Sequence, residues 1–161
     1  MFSFGRKKKV ISIKSPGNGI IKNIEEVNDP VFAEKMMGDG VAIQIEEGDI
    51  YAPASGVLTS VILPSGHAFG IKTKEGLEIL VHVGLDTVHL DDGEFTLLKK
   101  QDDFIEQGDK IIEINYELIK KKNIDLITPV IVINSNGFDL IKKVGERGLS
   151  AKTNIIECII D

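Results

Sequence analysis

The sequence has no tryptophan and only one cysteine, Cys158, so it cannot form an internal disulfide. The lack of disulfides is typical of a reducing compartment, and we predict that this chain works in the cytoplasm. No run of about eighteen apolar residues occurs, so no membrane-spanning helix is predicted. With 161 residues, 42% of them hydrophobic, the chain nevertheless suits one globular domain with a substantial core.

Acidic residues outnumber basic ones, and the formal net charge is −6. The basic residues are unevenly placed, because residues 1–14 hold five Lys or Arg and no acid. The acidic remainder argues against nucleic acid as a partner and favours a basic protein. We predict that residues 1–14 form a flexible basic tail, in which Phe2 and Phe4 make at most weak contact with anionic lipid. The folded domain is predicted to span residues 15–161.

Short apolar runs recur between glycine, proline and asparagine turn signals, with little helical periodicity. Many short strands in one domain indicate an all-β fold, and we predict an antiparallel β-sandwich of the barrel-sandwich, duplicated hybrid motif type. Three segments are predicted to be short helical turns, namely 31–37, 116–122 and 139–144. The predicted strands are 10–13, 19–24, 41–45, 57–63, 68–73, 78–83, 110–114, 128–133 and 155–160.

The most informative strand is the one that ends at His82. Side chains alternate across a strand, so Val81 and Val83 point to one face and His82 to the other. Gly84 leaves an open flank beside the imidazole, and the Asp86-Thr87 pair supplies a carboxylate and a hydroxyl near it.

A second histidine, His67, begins the segment 67–73, which is predicted to form a hairpin with the segment 77–84 that contains His82. If Glu75-Gly76 is a two-residue turn, Phe69 lies opposite His82 and both imidazoles share one face. A three-residue turn would instead place the two imidazoles on opposite faces, since a slip of one residue inverts every side chain. We predict the two-residue turn and therefore a pair of neighbouring imidazoles.

Two neighbouring imidazoles suit phosphoryl transfer. A neutral imidazole is a good nucleophile near pH 7, and a second imidazole with a nearby hydroxyl can donate hydrogen bonds to phosphoryl oxygens. The sequence lacks the glycine-rich loop of nucleotide-binding proteins, so a phosphoryl group is predicted to arrive on another protein rather than on ATP.

Several motifs resemble the glucose-type enzyme IIA family, the phosphocarriers of the bacterial sugar phosphotransferase system. The resemblance covers essentially residues 15–161. It is carried by Val31-Phe32-Ala33-Glu34-Lys35 with Gly38-Asp39-Gly40, by Ala52-Pro53-Ala54-Ser55-Gly56, by Gly66-His67-Ala68-Phe69, by His82-Val83-Gly84-Leu85-Asp86-Thr87 and by Thr128-Pro129-Val130.

The resemblance implies a role for each matching residue. His82 accepts the phosphoryl group, His67 hydrogen-bonds it, and Ser65 stands where a threonine that assists transfer is common. Asp86 and Asp29 flank the site, where they hold basic partners or orient a histidine; the alternative that both are turn-capping carboxylates stays open. An exposed apolar rim on which partners dock is formed by Val31, Phe32, Met36, Leu63, Phe69, Leu80 and Val88.

The resemblance also implies the partners. The phosphoryl group comes from phospho-HPr and passes to a cysteine of a glucose-family IIB domain, and no tightly bound cofactor or metal is required. The remaining histidine, His89, matches no position that carries chemistry and is read as a surface residue.

Two alternatives from other classes stay open. A zinc hydrolase would use the three histidines, but it needs a further ligand at suitable spacing, and no His-x-His or His-x-x-x-His pair occurs. A regulatory binding module would keep the fold and inhibit partners without transferring phosphate. Regulation of carbon metabolism could also coexist with transfer.

Overall fold

The computed structural model describes residues 8–160, and these residues are mostly β-strand. The strands are β1 (Lys9–Lys14), β2 (Asn18–Asn23), β3 (Asp39–Glu47), β4 (Ile50–Tyr51), β5 (Gly56–Val61), β6 (Ala68–Lys72), β7 (Glu78–His82), β8 (Phe95–Leu97), β9 (Phe104–Ile105), β10 (Lys110–Ile114), β11 (Ile127–Val132), β12 (Asp139–Lys142), β13 (Arg147–Gly148) and β14 (Asn154–Ile160). The helices are α1 (Pro30–Ala33) and α2 (Tyr116–Lys121), and single 3₁₀ turns cover Ile24–Glu26 and Ser135–Gly137. Within the described range neither helix is long and apolar enough to cross a bilayer.

The strands form three sheets whose pairings are antiparallel. An eight-stranded sheet has the order β13-β2-β3-β11-β7-β6-β5-β9, and two three-stranded sheets have the orders β1-β14-β12 and β4-β10-β8. Buried residues from all three sheets join in one hydrophobic cluster, so the sheets face each other across a common core. The predicted antiparallel β-sandwich is therefore confirmed.

The strand that carries His82 shows how alternation positions the site. Ile79, Val81 and Val83 point into the core and are fully buried. Leu80 and His82 point to the opposite face and are only partly buried. Burying a side chain of this size contributes about 1.5–3 kcal/mol, so the three core residues fix which face His82 occupies.

A second, smaller hydrophobic cluster covers part of that outer face. It packs α1 and the 3₁₀ turn Ile24–Glu26 against strands β3 and β11. Its buried members are Ile24, Val27, Phe32, Ala42, Ile127 and Ile131. The cluster therefore holds α1 next to the end of β7 that carries His82.

Each of the nine predicted strands corresponds to an observed one, with shifted ends, but two other expectations are wrong. Residues 139–142 form strand β12 rather than a helical turn, because they pair with β14. The predicted tail extends too far, because residues 9–14 form β1, pair with β14 and bury Ile13 completely. The basic residues Arg6 and Lys7, with the predicted lipid contact of Phe2 and Phe4, lie outside the described residues.

Candidate functional site

The hairpin of β6 and β7 brings the two histidines together, but not through the predicted register. Ala68 lies opposite His82 and Phe69 opposite Val81, so the prediction that Phe69 faces His82 is wrong by one residue. The turn closes with a bond from the backbone N–H of Thr73 to the carbonyl of Leu77 (2.9 Å), which leaves three residues between them. The hydroxyl oxygen of Thr73 also accepts from the N–H of Leu77 (3.1 Å), and this stabilises the longer turn.

The imidazoles nevertheless lie side by side, as predicted. Their ring centroids are 4.6 Å apart and the rings are nearly perpendicular, at 83°. His67 lies before Ala68, the first residue of β6, so the alternation of faces within the strand does not set the direction of its side chain. The carbonyl of His67 still accepts from the N–H of Val83 (2.7 Å), which anchors it beside β7.

His82 is held in one tautomer by its own strand end. Its Nδ1 lies 2.9 Å from the carbonyl oxygen of Gly84. A carbonyl can only accept, so we assign the proton to Nδ1, which leaves the lone pair of Nε2 free. Burial lowers the pKa of His82, and the Gly84 carbonyl and the charge of Asp29 offset this in part. The imidazole is therefore mainly neutral near pH 7 and available as a nucleophile.

His67 lies deeper in the protein, with only 2% of its surface exposed. Its Nδ1 is 2.5 Å from the hydroxyl of Ser65, which is equally buried. Burial, and to a lesser extent the charge on a protonated His82, lowers the pKa of His67 to about 4. Because a hydroxyl can donate or accept, Ser65 supports either tautomer of the neutral ring.

The residues of the predicted apolar rim differ in exposure. Val31, Met36, Leu63 and Val88 are exposed, and Leu80 is half-buried. Phe32 and Phe69 are buried, so placing them on an exposed rim is wrong. The slipped register turns Phe69 toward the core, and the second hydrophobic cluster encloses Phe32. Phe32 instead packs against His82, with ring centroids 5.0 Å apart.

The two predicted carboxylates occupy different places. Asp29 caps α1, since its side chain accepts from the N–H of Val31 (3.0 Å), and it is also the carboxylate whose charge acts on His82. Asp86 is exposed and lines a neighbouring cleft of about 650 Å³ with Asp92 and the exposed His89. Within residues 8–160 it has no hydrogen bond to either imidazole.

Sequence reasoning missed the partner of His82. The hydroxyl of Thr87 does not face the imidazole, because it donates to the carbonyl of Val83 (2.7 Å). The polar group that reaches His82 is the backbone carbonyl of Gly84, two residues further along the chain. The only sequence signal for it was the glycine itself, which the structure holds at φ +78°.

The site does not resemble a metal centre. Among the described residues no three His, Cys, Asp or Glu side chains come close enough to hold a metal ion. A zinc hydrolase therefore gains no support from the geometry.

Fold and site together define the class of the protein: an antiparallel β-sandwich that presents a partly exposed, neutral imidazole next to a buried one. A sequence model of the EIIA 1 family of the phosphoenolpyruvate-dependent sugar phosphotransferase system matches residues 11–138. The chain belongs to this family.

Individual relatives agree with this assignment. The chain is 40% identical over 158 residues to the glucose-specific EIIA component of Bacillus cereus, covering 98% of this chain and 95% of that protein. It is 42% identical over 147 residues to the corresponding component of Mycoplasma capricolum, covering 91% and 93%. Among solved structures it is similar to glucose permease IIA from Mycoplasma capricolum, with a TM-score of 0.84, 38% identity and coverage of 98% and 99%.

Proposed function

We propose that this protein is a phosphocarrier that accepts a phosphoryl group on Nε2 of His82 from phospho-HPr and passes it to a cysteine of a glucose-family IIB domain. The observation that carries the proposal is the bond from Nδ1 of His82 to the carbonyl of Gly84. It leaves the nitrogen away from that bond, Nε2, unprotonated. The names of the relatives, which are glucose-specific components, support the choice of a glucose-family partner.

The transfer is a pair of displacements at phosphorus. The lone pair of Nε2 of His82 attacks the phosphorus carried by HPr, and the bond to the donor atom of HPr breaks with its electron pair returning to that atom. In the second step the thiolate of IIB attacks the phosphorus, and Nε2 regains its lone pair. The Gly84 carbonyl holds the Nδ1 proton throughout, so it stabilises the positive charge that the ring acquires when Nε2 is phosphorylated.

His67 and Ser65 are proposed to assist this transfer. His67 contacts His82 ring to ring and is buried, so a hydrogen bond from it to a phosphoryl oxygen would be little weakened by water. If the hydroxyl of Ser65 donates to Nδ1 of His67, the other nitrogen carries the proton and can donate to the phosphoryl group.

The charge around the site favours a basic partner. Within residues 8–160 neither imidazole has a lysine or arginine among its hydrogen-bond partners, and Asp29 is the charged side chain that acts on His82. A phosphoryl group on His82 therefore adds two negative charges near the carboxylate of Asp29. No lysine or arginine bonded to either imidazole in residues 8–160 neutralises them. Basic side chains on HPr and IIB are proposed to supply that neutralisation, with Asp29 and Asp86 attracting them.

The proposal is tested by weighing the intact protein after incubation with phosphoenolpyruvate, enzyme I and HPr. We expect one phosphoryl group, labile to acid and stable to alkali, and we expect none when HPr is omitted. The His82→Gln variant should remain unmodified, while His89→Gln, in which the third histidine is changed, serves as the matched control and should be modified fully. A phosphate found on Ser65 or His67 in the wild-type protein would contradict the mechanism.

A further inference from the structure

The peptide group between Gly84 and Leu85 connects His82 to a distant loop. Its carbonyl accepts from Nδ1 of His82 (2.9 Å), and its N–H donates to the backbone carbonyl of Asp125 (3.0 Å). The imidazole, this peptide group and Asp125 thus form one chain of hydrogen bonds, in which each bond polarises the next. The orientation of the peptide plane determines where the imidazole is held.

Thr87 restrains the neighbouring peptide group, between Val83 and Gly84. The residue is fully buried, and its hydroxyl donates to the carbonyl of Val83, which belongs to the preceding peptide group (2.7 Å). Its methyl group fills the space beside Gly84, since a Cβ on residue 84 would lie 2.8 Å from Cγ2 of Thr87 and 2.9 Å from the carbonyl oxygen of Asp125. A side chain at position 84 would therefore clash with Thr87 and with the Asp125 carbonyl, and the φ of Gly84, +78°, is one that residues other than glycine rarely adopt.

The Asp125 loop is itself held in place. The side-chain oxygen Oδ1 of Asp125 accepts from the backbone N–H of Ile127 (2.9 Å) and from Nε2 of Gln44 on β3 (3.1 Å). These bonds fix the turn that aims the Asp125 carbonyl at Leu85.

We propose that Thr87 is a positioning residue for His82: with the Asp125 carbonyl it fixes the peptide group of Gly84, which keeps the proton of His82 on Nδ1 and presents Nε2 to the phosphoryl donor. The part that concerns transfer rests on the proposed function, whereas the part that concerns the tautomer does not. Neither the hydroxyl nor the methyl group of Thr87 needs to touch the reacting atoms for this role.

The test compares Thr87→Val, which removes the hydroxyl at nearly constant shape, with Thr87→Ser, which keeps it. The readout is the ¹⁵N NMR shift of the two ring nitrogens of His82 at pH 7.5 in the unphosphorylated protein. In the wild type we expect the Nδ1–H tautomer to dominate. In Thr87→Val the ratio of the minor to the major tautomer should rise about fivefold, which corresponds to the net free energy of one hydrogen bond. Thr87→Ser should restore most of the wild-type ratio.

A matched control separates positioning from stability. Thr73 is also buried and also bonds to a backbone group four residues away, but at the far end of the same hairpin. Thr73→Val should destabilise the fold and leave the tautomer ratio unchanged. An unchanged ratio in folded Thr87→Val would overturn the proposal. If Thr87→Val does not fold, Gln44→Leu, at a half-buried position, removes the side-chain bond to the Asp125 loop, and an unchanged ratio there would overturn the proposal equally.

The rate of phosphorylation tests the consequence for transfer. We expect Thr87→Val to be phosphorylated about tenfold more slowly at saturating phospho-HPr, with the half-saturating concentration unchanged, because orientation and not docking is affected. A shifted tautomer ratio with no phosphorylation of the wild type would refute the proposed function and leave the positioning role intact. A shifted ratio with an unchanged rate would refute the role in transfer.

Discussion

His82 lies at the end of a regular strand and donates from Nδ1 to a backbone carbonyl, whereas His67 precedes its strand and shares Nδ1 with the hydroxyl of Ser65. His82 is partly exposed and His67 is almost completely buried. The carbonyl permits one tautomer, while the hydroxyl permits both. Two residues of one type, with adjacent rings, therefore differ in exposure and in the tautomers that their partners permit.

Under the proposed function, this difference fits the two proposed roles. A nucleophile needs a lone pair that always faces the incoming group, and a fixed tautomer with some exposure provides it. A residue that stabilises moving charge needs instead to change its proton position while protected from water, which suits the buried ring beside a hydroxyl. A substitution of His82 is therefore expected to block acceptance of the phosphoryl group, and a substitution of His67 to slow its delivery.

The largest expected effect comes from removing the ability of His67 to exchange a proton. Glutamine keeps a donor of similar reach, so His67→Gln should still accept a phosphoryl group from phospho-HPr. Delivery to the IIB domain should slow by about 10²- to 10⁴-fold, because an amide cannot take or give a proton as the phosphoryl oxygens redistribute charge. Single-turnover measurements of acceptance and delivery would separate the two steps.

The control for that experiment is Ser65→Ala. It removes the hydroxyl partner but leaves the imidazole, so delivery should be slowed less than in His67→Gln. Delivery by His67→Gln at the wild-type rate would show that His67 is structural, and the comparison between the histidines would lose its mechanistic meaning.

A smaller effect is expected on stability in acid. The pKa of His67 is lowered from 6.5 to about 4, chiefly by burial, so between these values the unfolded chain binds a proton that the folded chain does not. Stability is therefore lost as the pH falls through this window, and the shift corresponds to about 3 kcal/mol in the free energy of unfolding between pH 7 and pH 4.

Urea unfolding of the wild type and His67→Gln at both pH values measures this. The carboxylates contribute equally to both proteins, so the difference in unfolding free energy between them isolates the histidine. We expect that difference to change by about 3 kcal/mol in favour of the variant as the pH falls. Parallel pH profiles would mean that His67 is protonated in the folded protein without penalty.

The sequence was sufficient for most of the fold. It also predicted that the histidines are neighbours, but from a hairpin register that is wrong. Alternation of apolar residues located each long strand, but the two-residue strands β4, β9 and β13 are too short to produce a pattern. The segment 139–142 carries apolar residues at spacings that fit a helix or a strand, and only its pairing with β14 decides between them.

The register and the rim could not be derived in the same way. The hairpin register is set where the turn closes between Thr73 and Leu77, and the slip of one residue also turned Phe69 from the predicted rim into the core. The partner of His82 is the backbone carbonyl of Gly84, and every residue has such a carbonyl, so residue type does not predict it. Sequence patterns report which side chains are buried, whereas these features depend on where the backbone turns.

The smallest expected effect concerns docking around the two histidines. Leu63 and Val88 belong to the part of the rim that is exposed, and Leu63 is 66% exposed in a loop next to Ser65. Because exposed side chains contribute little to the fold, Leu63→Ala and Val88→Ala should leave stability within about 0.5 kcal/mol of the wild type. If partners bury them, each variant should raise the half-saturating concentration of phospho-HPr by about tenfold, with the rate at saturation unchanged.

Phe104→Ala is the control, since Phe104 is 68% exposed on β9, at the edge of the same sheet, two strands away from β6. An equal effect of Phe104→Ala would show that docking is not confined to the histidine end of the sheet.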